Sequence, residues 1–270
     1  MKIIKKVAET ILKYKLCNKK QKILVAMSGG KDSAVVTYIL KKLGYNVEGF
    51  YINLGLREYS EKCEEAVKKL CENLKIKLTI YNFKKENGNS MCYIRSAVQE
   101  KNNLKNCAIC GVLKKWIINK EARKLKIEKI TTGHHLDDEA QTFFLNVLKG
   151  ALELSSKTGP ITKNKSNKKF IPRIKPLFFI FEKDIEKFAR QKKLPVVYEK
   201  CPCAIDSYRI QVRKYFKNLK RKQKINIINN FLDIQKNIKK SEGKINYCLV
   251  CGEPCRGKIC KRCELLKLKN

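Results

Sequence analysis

One six-residue segment, SGGKDS at Ser28–Ser33, constrains this chain more than any other feature. It follows a short apolar run, KILVAM, that is typical of a buried strand, and it precedes AVVTYILKKLG, which has helical periodicity. A glycine-rich turn between strand and helix lets backbone N–H groups approach phosphate oxygens at the positive end of the helix dipole. Lys31 adds a cation, the two serines add hydroxyls, and Asp32 can help to hold magnesium. The Walker A spacing GxxxxGK[ST] is absent, so the segment predicts a phosphate site of another type.

Segments with strand and helix character alternate along the chain. The strand-like segments are NVEGFYINLG, KIKLTIYNF, EKITTG and PVVYEKC, and the helix-like ones are Ser60–Leu74, LDDEAQTFFLNVLKG and PLFFIFEKDIEKFARQKKL. Residues 84–106 are polar, and we expect them to be irregular. This alternation predicts an α/β fold with a doubly wound parallel sheet, whose ligands bind beyond the carboxyl ends of the strands.

The sequence divides into three predicted parts. Residues 1–21 form an N-terminal helix, residues 22–240 form a catalytic domain ending in strongly basic helices, and residues 241–270 form a short tail. The tail cannot build a hydrophobic core of its own, so a bound metal must organise it. Its two CxxC pairs have the spacing of a Zn²⁺ ribbon with the ligands Cys248, Cys251, Cys260 and Cys263.

The charge of the chain favours a polyanionic partner. There are 61 Lys and Arg residues against 25 Asp and Glu, which gives a formal net charge of +36. Such an excess attracts nucleic acid, with an affinity that falls as salt rises. No apolar run reaches the roughly 18–20 residues that cross a bilayer, and the N-terminus lacks the apolar segment of a signal peptide. We therefore expect no membrane partner and a cytoplasmic location.

The remaining cysteine motifs point to metal or redox chemistry. Thirteen cysteines in a chain that is not exported argue against a disulfide scaffold. Cys107 and Cys110 form a CxxC pair, and Cys201 and Cys203 form a CxC pair. On spacing alone, the first pair suits an iron–sulfur cluster, half of a zinc site or a reactive dithiol.

A second polar motif, TGHHLDDEAQT, follows the predicted strand EKITTG. Asp137 and Asp138 stand at the start of a helix, where negative charge counters the helix dipole. Two adjacent carboxylates at the end of a strand also suit magnesium binding or substrate orientation. Capping and catalysis both remain open for these residues at this stage.

Six segments together resemble one enzyme family. SGGKDS, INLGLREYS, CAICGVLKK, TGHHLDDEAQT, IPRIKPL and CPCAIDSYRIQVR occur in the order found in the TtuA/TtcA-type tRNA 2-thiolation enzymes, which are PP-loop ATP pyrophosphatases. The matches span Ile23 to Cys263, and the terminal double CxxC is similar to the TtuA branch. The resemblance implies that ATP adenylates the C2 oxygen of a tRNA pyrimidine, with uridine favoured, and that sulfur then replaces this oxygen.

The resemblance also implies a set of site residues. ATP and Mg²⁺ are placed by Ala26, Met27, Ser28, Gly29, Gly30, Lys31, Asp32, Ser33, Ile52, Lys114, Gly133 and Asp138. The implied catalytic residues are Asp32, Lys114 and Asp138, and Asp137 joins them as the neighbouring carboxylate. A 4Fe-4S cluster is implied at Cys107, Cys110 and Cys201. Three thiolates leave one iron without a protein ligand, at which hydrosulfide can be held as the nucleophile.

The resemblance implies tRNA as the partner, a homodimer, and either free sulfide or a ubiquitin-like carrier with a C-terminal thiocarboxylate as the sulfur source. The chain departs from the family at several positions. Cys203 replaces an expected tyrosine and, as a fourth ligand, would close the open iron. Asn53 replaces an aspartate, His135 replaces an asparagine, and the cysteine-rich N-terminal zinc finger of TtuA proteins is absent.

Two other functions compete with this prediction. One is another PP-loop adenylating enzyme without a cluster, similar to lysidine synthetase, and the other is a nonenzymatic RNA-binding iron–sulfur protein. The intact Lys31, Asp32 and Ser33 argue against the nonenzymatic alternative. The iron content of the purified protein distinguishes the cluster enzyme from an adenylating enzyme without a cluster.

Overall fold

The computed structural model describes residues 2–100, 104–162, 169–204, 209–237 and 245–267. Its centre is a six-stranded sheet in the order β3-β2-β1-β4-β6-β5, in which only β5 pairs antiparallel. These strands are β1 Lys22–Met27, β2 Asn46–Asn53, β3 Leu78–Asn82, β4 Lys129–Thr131, β5 Ile161–Thr162 and β6 Arg173–Ile174. The order reverses at β1, which pairs with β2 on one side and with β4 on the other, and this is where α/β sheets bind ligands.

Helices cover both faces of the sheet. They are α1 Lys2–Lys13, α2 Lys31–Lys42, α3 Glu58–Asn73, α4 Phe83–Asn87, α5 Met91–Gln99, α6 Asn106–Lys124, α7 Leu136–Leu148, α8 Glu182–Gln191, α9 Arg209–Asn218 and α10 Arg221–Asn237, with a 3-10 helix at Leu152–Lys157. None of the helices in the described ranges is long and apolar enough to cross a membrane. The tail adds a two-stranded sheet, β7 Asn246–Tyr247 with β8 Pro254–Cys255, and α11 Lys261–Leu265.

The alternation of side chains along β1 builds two separate cores. Ile23 and Val25 point to one face, where they join α1, α2, α3 and α8, while Leu24 points to the other face with α5 and α6. A third core joins α7, α9 and α10 around Phe178 and Phe231. The predicted doubly wound α/β architecture is confirmed.

Three local predictions were wrong. Residues 84–106 contain α4 and α5 rather than irregular chain alone. In PLFFIFEKDIEKFARQKKL the helix begins only at Glu182, because the preceding turns bury Leu177 and Phe178 in two different cores. PVVYEKC forms no strand, and Val197 instead donates its N–H to the carbonyl of Gly29 at 2.8 Å.

The predicted boundaries at residues 21/22 and 240/241 remain predictions, and 240/241 lies outside the described residues. Val7 and Ile11 of α1 are buried in the same core as α2 and α8. The N-terminal helix therefore packs on the catalytic domain.

Candidate active site and metal centres

The turn after β1 is held in shape by its own hydroxyl groups. Ser33 Oγ accepts a hydrogen bond from Ser28 N at 3.2 Å and donates to the carbonyl of Gly30 at 3.0 Å. Gly29 has φ +79°, and a Cβ at this position would lie 2.7 Å from Cys63 Cβ, so only glycine fits. The buried Ser33 hydroxyl is thus part of the loop framework.

Lys31 sits between two carboxylates. Its Nζ lies 3.0 Å from Asp32 Oδ1 and 3.0 Å from Glu182 Oε1. Burial disfavours the charged amine, but Asp32 and Glu182 outweigh this effect and raise the pKa of Lys31. Burial likewise opposes ionisation of Glu182, whose pKa is nevertheless lowered by Lys31. The ion pair between Lys31 and Glu182 thus holds the start of α8 against the phosphate turn.

The TGHH segment after β4 meets the phosphate turn directly. A Cβ on Gly133 would lie 2.7 Å from the carbonyl carbon of Asp32 and 2.8 Å from Ser33 N. His135 is 1% exposed and caps α7, since its Nδ1 accepts from Asp138 N at 3.4 Å. The other ring nitrogen, Nε2, lies 3.3 Å from Asp138 Oδ2 and 3.9 Å from Asp32 Oδ1. His135 therefore links the two motifs.

The neighbouring carboxylates of α7 have different surroundings. Asp138 Oδ1 lies 3.4 Å from Arg209 Nη1 and 3.6 Å from Arg213 Nη2. Burial alone would raise the pKa of Asp138, but His135, His134 and these arginines lower it. Asp138 therefore stays ionised and faces the same space as Asp32.

Asp137 faces away from that space. Its Oδ1 lies 2.7 Å from Lys224 Nζ, and its Oδ2 accepts from Glu182 N at 2.8 Å. The residue is 5% exposed. Asp137 thus connects α7 to α8 and α10, and its role is structural.

The predicted cluster ligands come from two distant segments. Cys107 and Cys110 lie one turn apart in the first two turns of α6, and Cys201 opens a turn closed by Ala204 N and the carbonyl of Cys201 at 3.0 Å. Burial raises the pKa of Cys201; the charges of Cys203 and Cys110 act in the same direction, and the charge of Lys114 opposes them. Cys201 and Cys110 are thus electrostatic neighbours, and Lys114 stands beside them.

This donor set fits a cluster better than a single metal ion. Cys107 is exposed, and Cys110 and Cys201 are half-buried, so all three sulfurs are accessible. In the described residues, the only group of three or more possible ligands whose donor atoms all lie within 4.8 Å of one another is in the tail. A four-iron cube separates its cysteine sulfurs more widely than a zinc ion does.

The tail carries that compact group. The sulfurs of Cys248, Cys251, Cys260 and Cys263 all lie within 4.8 Å of one another. Burial raises the pKa of Cys248, but the backbone N–H groups of Cys260, Cys251 and Val250 outweigh it and lower the pKa to about 6. Four thiols, one of them favoured as thiolate, are the donor set of a structural zinc site.

The tail is docked on α6, the helix that carries Cys107 and Cys110. The Arg262 guanidinium lies 3.9 Å from the ring centre of Trp116, and Lys120 Nζ lies 4.9 Å from it. Arg123 of α6 forms an ion pair with the buried Glu253, and Leu265 enters the core that contains Ile117. The ribbon and α6 therefore pack as one structural unit.

The sequence analysis missed several residues of the site. Glu182, Arg209 and Arg213 contact Lys31 or Asp138 but had no predicted role. The arginines lie in CPCAIDSYRIQVR at a four-residue spacing, which places both on one face of α9 and was a usable signal. Ile52 is the penultimate residue of β2 and shares a core with Ile109 of α6.

Comparison with known proteins agrees with this geometry. The PP-loop domain family matches residues 1–218, and the chain belongs to that family. A tRNA-5-methyluridine(54) 2-sulfurtransferase of Pyrococcus horikoshii is 37% identical, over 98% of this chain and 85% of the relative. Cytoplasmic tRNA 2-thiolation protein 1 of Caenorhabditis elegans is 31% identical, over 98% and 72%.

A solved structure extends the likeness to three dimensions. The U34-tRNA thiolase NcsA from Methanococcus maripaludis, with its 4Fe-4S cluster, matches with a TM-score of 0.79 at 27% identity, covering 98% of this chain and 86% of that one. Within the PP-loop family, the relatives of this chain are thus tRNA 2-thiolation proteins. The predicted resemblance is confirmed.

Proposed function

We propose that this protein is an ATP-dependent tRNA 2-thiolation enzyme that acts on a uridine. ATP adenylates the C2 oxygen of the base and pyrophosphate leaves; sulfur then replaces the activated oxygen and AMP leaves. Relatives whose names specify a nucleotide are named for 5-methyluridine 54 or for U34, which supports uridine over cytidine.

The observation that carries the proposal is that Cys201 lies close to Cys110 and Lys114 of α6. Cys201 follows Cys110 by about 90 residues, yet the charges of Cys110 and Lys114 both act on its thiol. The same helix shares a core with Ile52 at the carboxyl end of β2, the neighbour of the strand that leads into the phosphate turn. This adjacency supports a nucleotide site and a sulfur-ligand site on neighbouring elements.

The nucleotide roles follow from the geometry of the turn. We assign the phosphates to the amides of residues 28–33 and to Lys31, which Asp32 and Glu182 keep charged. Asp32 and Asp138, bridged by His135, are the magnesium and catalytic carboxylates. Asp137 is assigned instead to anchoring, because Lys224 and the Glu182 amide occupy both of its oxygens.

The sulfur site uses Cys107, Cys110 and Cys201. A 4Fe-4S cluster bound there supplies an iron that lacks a protein ligand and can hold sulfide. Among the residues of this chain, Lys114 adds positive charge near the Cys201 thiol. α6 is fixed on its far side by the docked ribbon, for which we propose Zn²⁺ at the four tail cysteines.

The surface suits an RNA backbone. A cavity of about 230 Å³ is lined by Lys183, Lys217, Lys220, Arg221 and Lys224, with Asp137 among the lining residues. These side chains surround the same α8–α10 junction that Asp137 holds together beside the phosphate turn. Phosphate contacts of this kind position a nucleic acid without reading its sequence.

Four further assignments complete the proposal. We propose the domain division 1–21, 22–240 and 241–270, a cytoplasmic location and a homodimer. Either free sulfide or a thiocarboxylated ubiquitin-like carrier supplies the sulfur.

The test is thiolation by anaerobically purified protein with ATP, Mg²⁺, sulfide and unmodified tRNA, read by mass spectrometry of nucleosides. We expect 2-thiouridine with the wild type, and none with Cys107→Ala or Asp32→Ala. Cys107→Ala should still bind ATP, and Asp32→Ala should still bind iron, because the two sites use different residues. Cys255→Ser is the matched control, since Cys255 lies outside the compact tail group. Full thiolation by either site variant would overturn the corresponding assignment.

A further inference from the structure

A buried arginine joins two cysteines that the proposed reaction does not use. Arg95 of α5 is 6% exposed, and its Nη2 donates to Cys92 Sγ at 3.2 Å and to Cys203 Sγ at 2.8 Å. Its Nε is also buried and has no hydrogen-bond partner. Two sulfurs therefore share one nitrogen of a guanidinium.

Within the described residues, the hydrogen-bond acceptors of Arg95 are two sulfurs. Burial disfavours the guanidinium ion, yet Cys203 and Cys92 outweigh burial and raise the pKa of Arg95. No carboxylate in the described ranges lies within ion-pair distance of it. Buried charges are retained where they are paired. A buried cation that donates to two thiols offers the charge-assisted contact that stabilises an anionic sulfur.

Of the two thiols, one is open to solvent and the other lies next to Cys201, a proposed cluster ligand. Cys92 is exposed and Cys203 is half-buried, so a small molecule can reach this pair. Cys203 follows Cys201 by two residues, and its backbone N–H is hydrogen-bonded to the Cys201 thiol. Sulfur that leaves Cys203 is therefore released beside Cys201.

We propose that Cys92, Arg95 and Cys203 form a sulfur-accepting site that takes sulfane sulfur from a low-molecular-weight persulfide and releases it as hydrosulfide next to the Cys107, Cys110 and Cys201 triad. This site rests on the proposed function and on its free-sulfide alternative, for which it would generate the sulfide.

The chemistry has two balanced steps. The Cys203 thiolate attacks the outer sulfur of the donor persulfide, the donor S–S bond breaks, and the donor leaves as a thiol after taking up a proton. Cys92 then attacks Cys203 Sγ, which forms a Cys92–Cys203 disulfide and expels the carried sulfur as hydrosulfide with one proton. The two cysteines lose two electrons and the carried sulfur gains two; a dithiol reductant resets the pair.

Arg95 positions this exchange. Its single Nη2 keeps both sulfurs together and offers a charge-assisted hydrogen bond to the persulfide on Cys203. Arg95 takes no part in bond making, so it is a positioning residue.

The test treats full-length protein anaerobically with cysteine persulfide, blocks free thiols, and maps each cysteine by peptide mass spectrometry while released hydrosulfide is measured. The wild type should form the Cys92–Cys203 disulfide and release one hydrosulfide per chain. Cys92→Ser should retain one extra sulfur atom on Cys203 and release none. Cys203→Ser should do neither. Cys17→Ser is the control, because burial raises the pKa of Cys17 to about 11 and leaves it unreactive.

The role of Arg95 is tested by Arg95→Met and Arg95→Lys. The methionine variant should lose the disulfide, and the lysine variant should restore part of it because it keeps a buried cation. Hydrosulfide release by Cys203→Ser at the wild-type rate, or equal sulfur loading of other cysteines, would overturn the site. Cys107→Ala separates the two proposals: it should lose tRNA thiolation from free sulfide but still release hydrosulfide from the persulfide.

Discussion

Replacing Gly133 with alanine is the sharpest test of the contact between the two nucleotide motifs. The new Cβ would lie 2.7 Å from the carbonyl carbon of Asp32, 2.8 Å from Ser33 N and 2.9 Å from the carbonyl oxygen of Asp32. All three atoms belong to the backbone, so no side chain can rotate away. The TGHH segment and the phosphate turn must separate by roughly 0.7 Å to restore ordinary contact.

The expected cost follows from this overlap. Overpacking of this kind costs about 1–3 kcal/mol, and alanine returns about 0.4–1 kcal/mol by stiffening the unfolded chain. A net loss of about 1–2 kcal/mol lowers the melting temperature of a domain of this size by roughly 2–8 °C. The displaced residues include the proposed phosphate amides, so we also expect ATP affinity to fall by about tenfold, which corresponds to roughly 1.4 kcal/mol.

The assay pairs thermal unfolding with ATP titration on Gly133→Ala and a control. In Gly111→Ala the new Cβ meets no atom within 4 Å, and the residue lies inside α6, so this control should be as stable as the wild type or slightly more stable. A Gly133→Ala protein that melts and binds ATP as the wild type does would refute the close contact of the two motifs.

Three further outcomes are expected. Chelating zinc should change the emission of Trp116, the chain's one tryptophan, because Arg262 lies over its ring; unchanged emission after complete zinc loss would contradict the docking. The pKa of Asp138 lies below its ordinary 3.8, so its stabilising effect is full above that pH and is lost as pH falls through the lower folded value. In Asp138→Asn, the free energy of unfolding should therefore fall less steeply as the pH is lowered. If its dependence on acid pH is unchanged, Asp138 does not cause the loss of stability. Lys224→Met leaves Asp137 buried without its cation and should cost about 3–5 kcal/mol in urea unfolding, part of which Asp137→Asn should recover; a loss below about 1 kcal/mol would refute the anchor.

Sequence reasoning succeeded where the important residues are close together in the chain. The phosphate turn occupies six residues, and the four tail cysteines fall within residues 248–263. Local spacing determines both arrangements, because a turn or a metal loop is built from its own segment. The alternation of strands and helices predicted the sheet for the same reason.

The errors concern contacts between distant segments. PVVYEKC has the composition of a strand, but Val197 finds its hydrogen-bond acceptor at Gly29, which no local pattern reveals. Glu182 reaches Lys31 from 151 residues away, and Arg95 reaches Cys203 across 108. Only the fold brings such partners together, so charge and cysteine spacing could not have predicted them.

The docking of the ribbon on α6 also orders events during synthesis. Arg123 and Glu253 are 130 residues apart, so α6 leaves the ribosome long before the segment that covers it. Until then Trp116 and the apolar surface that receives Leu265 lack their cover. The covering of the cysteine-bearing helix therefore waits for translation of the tail.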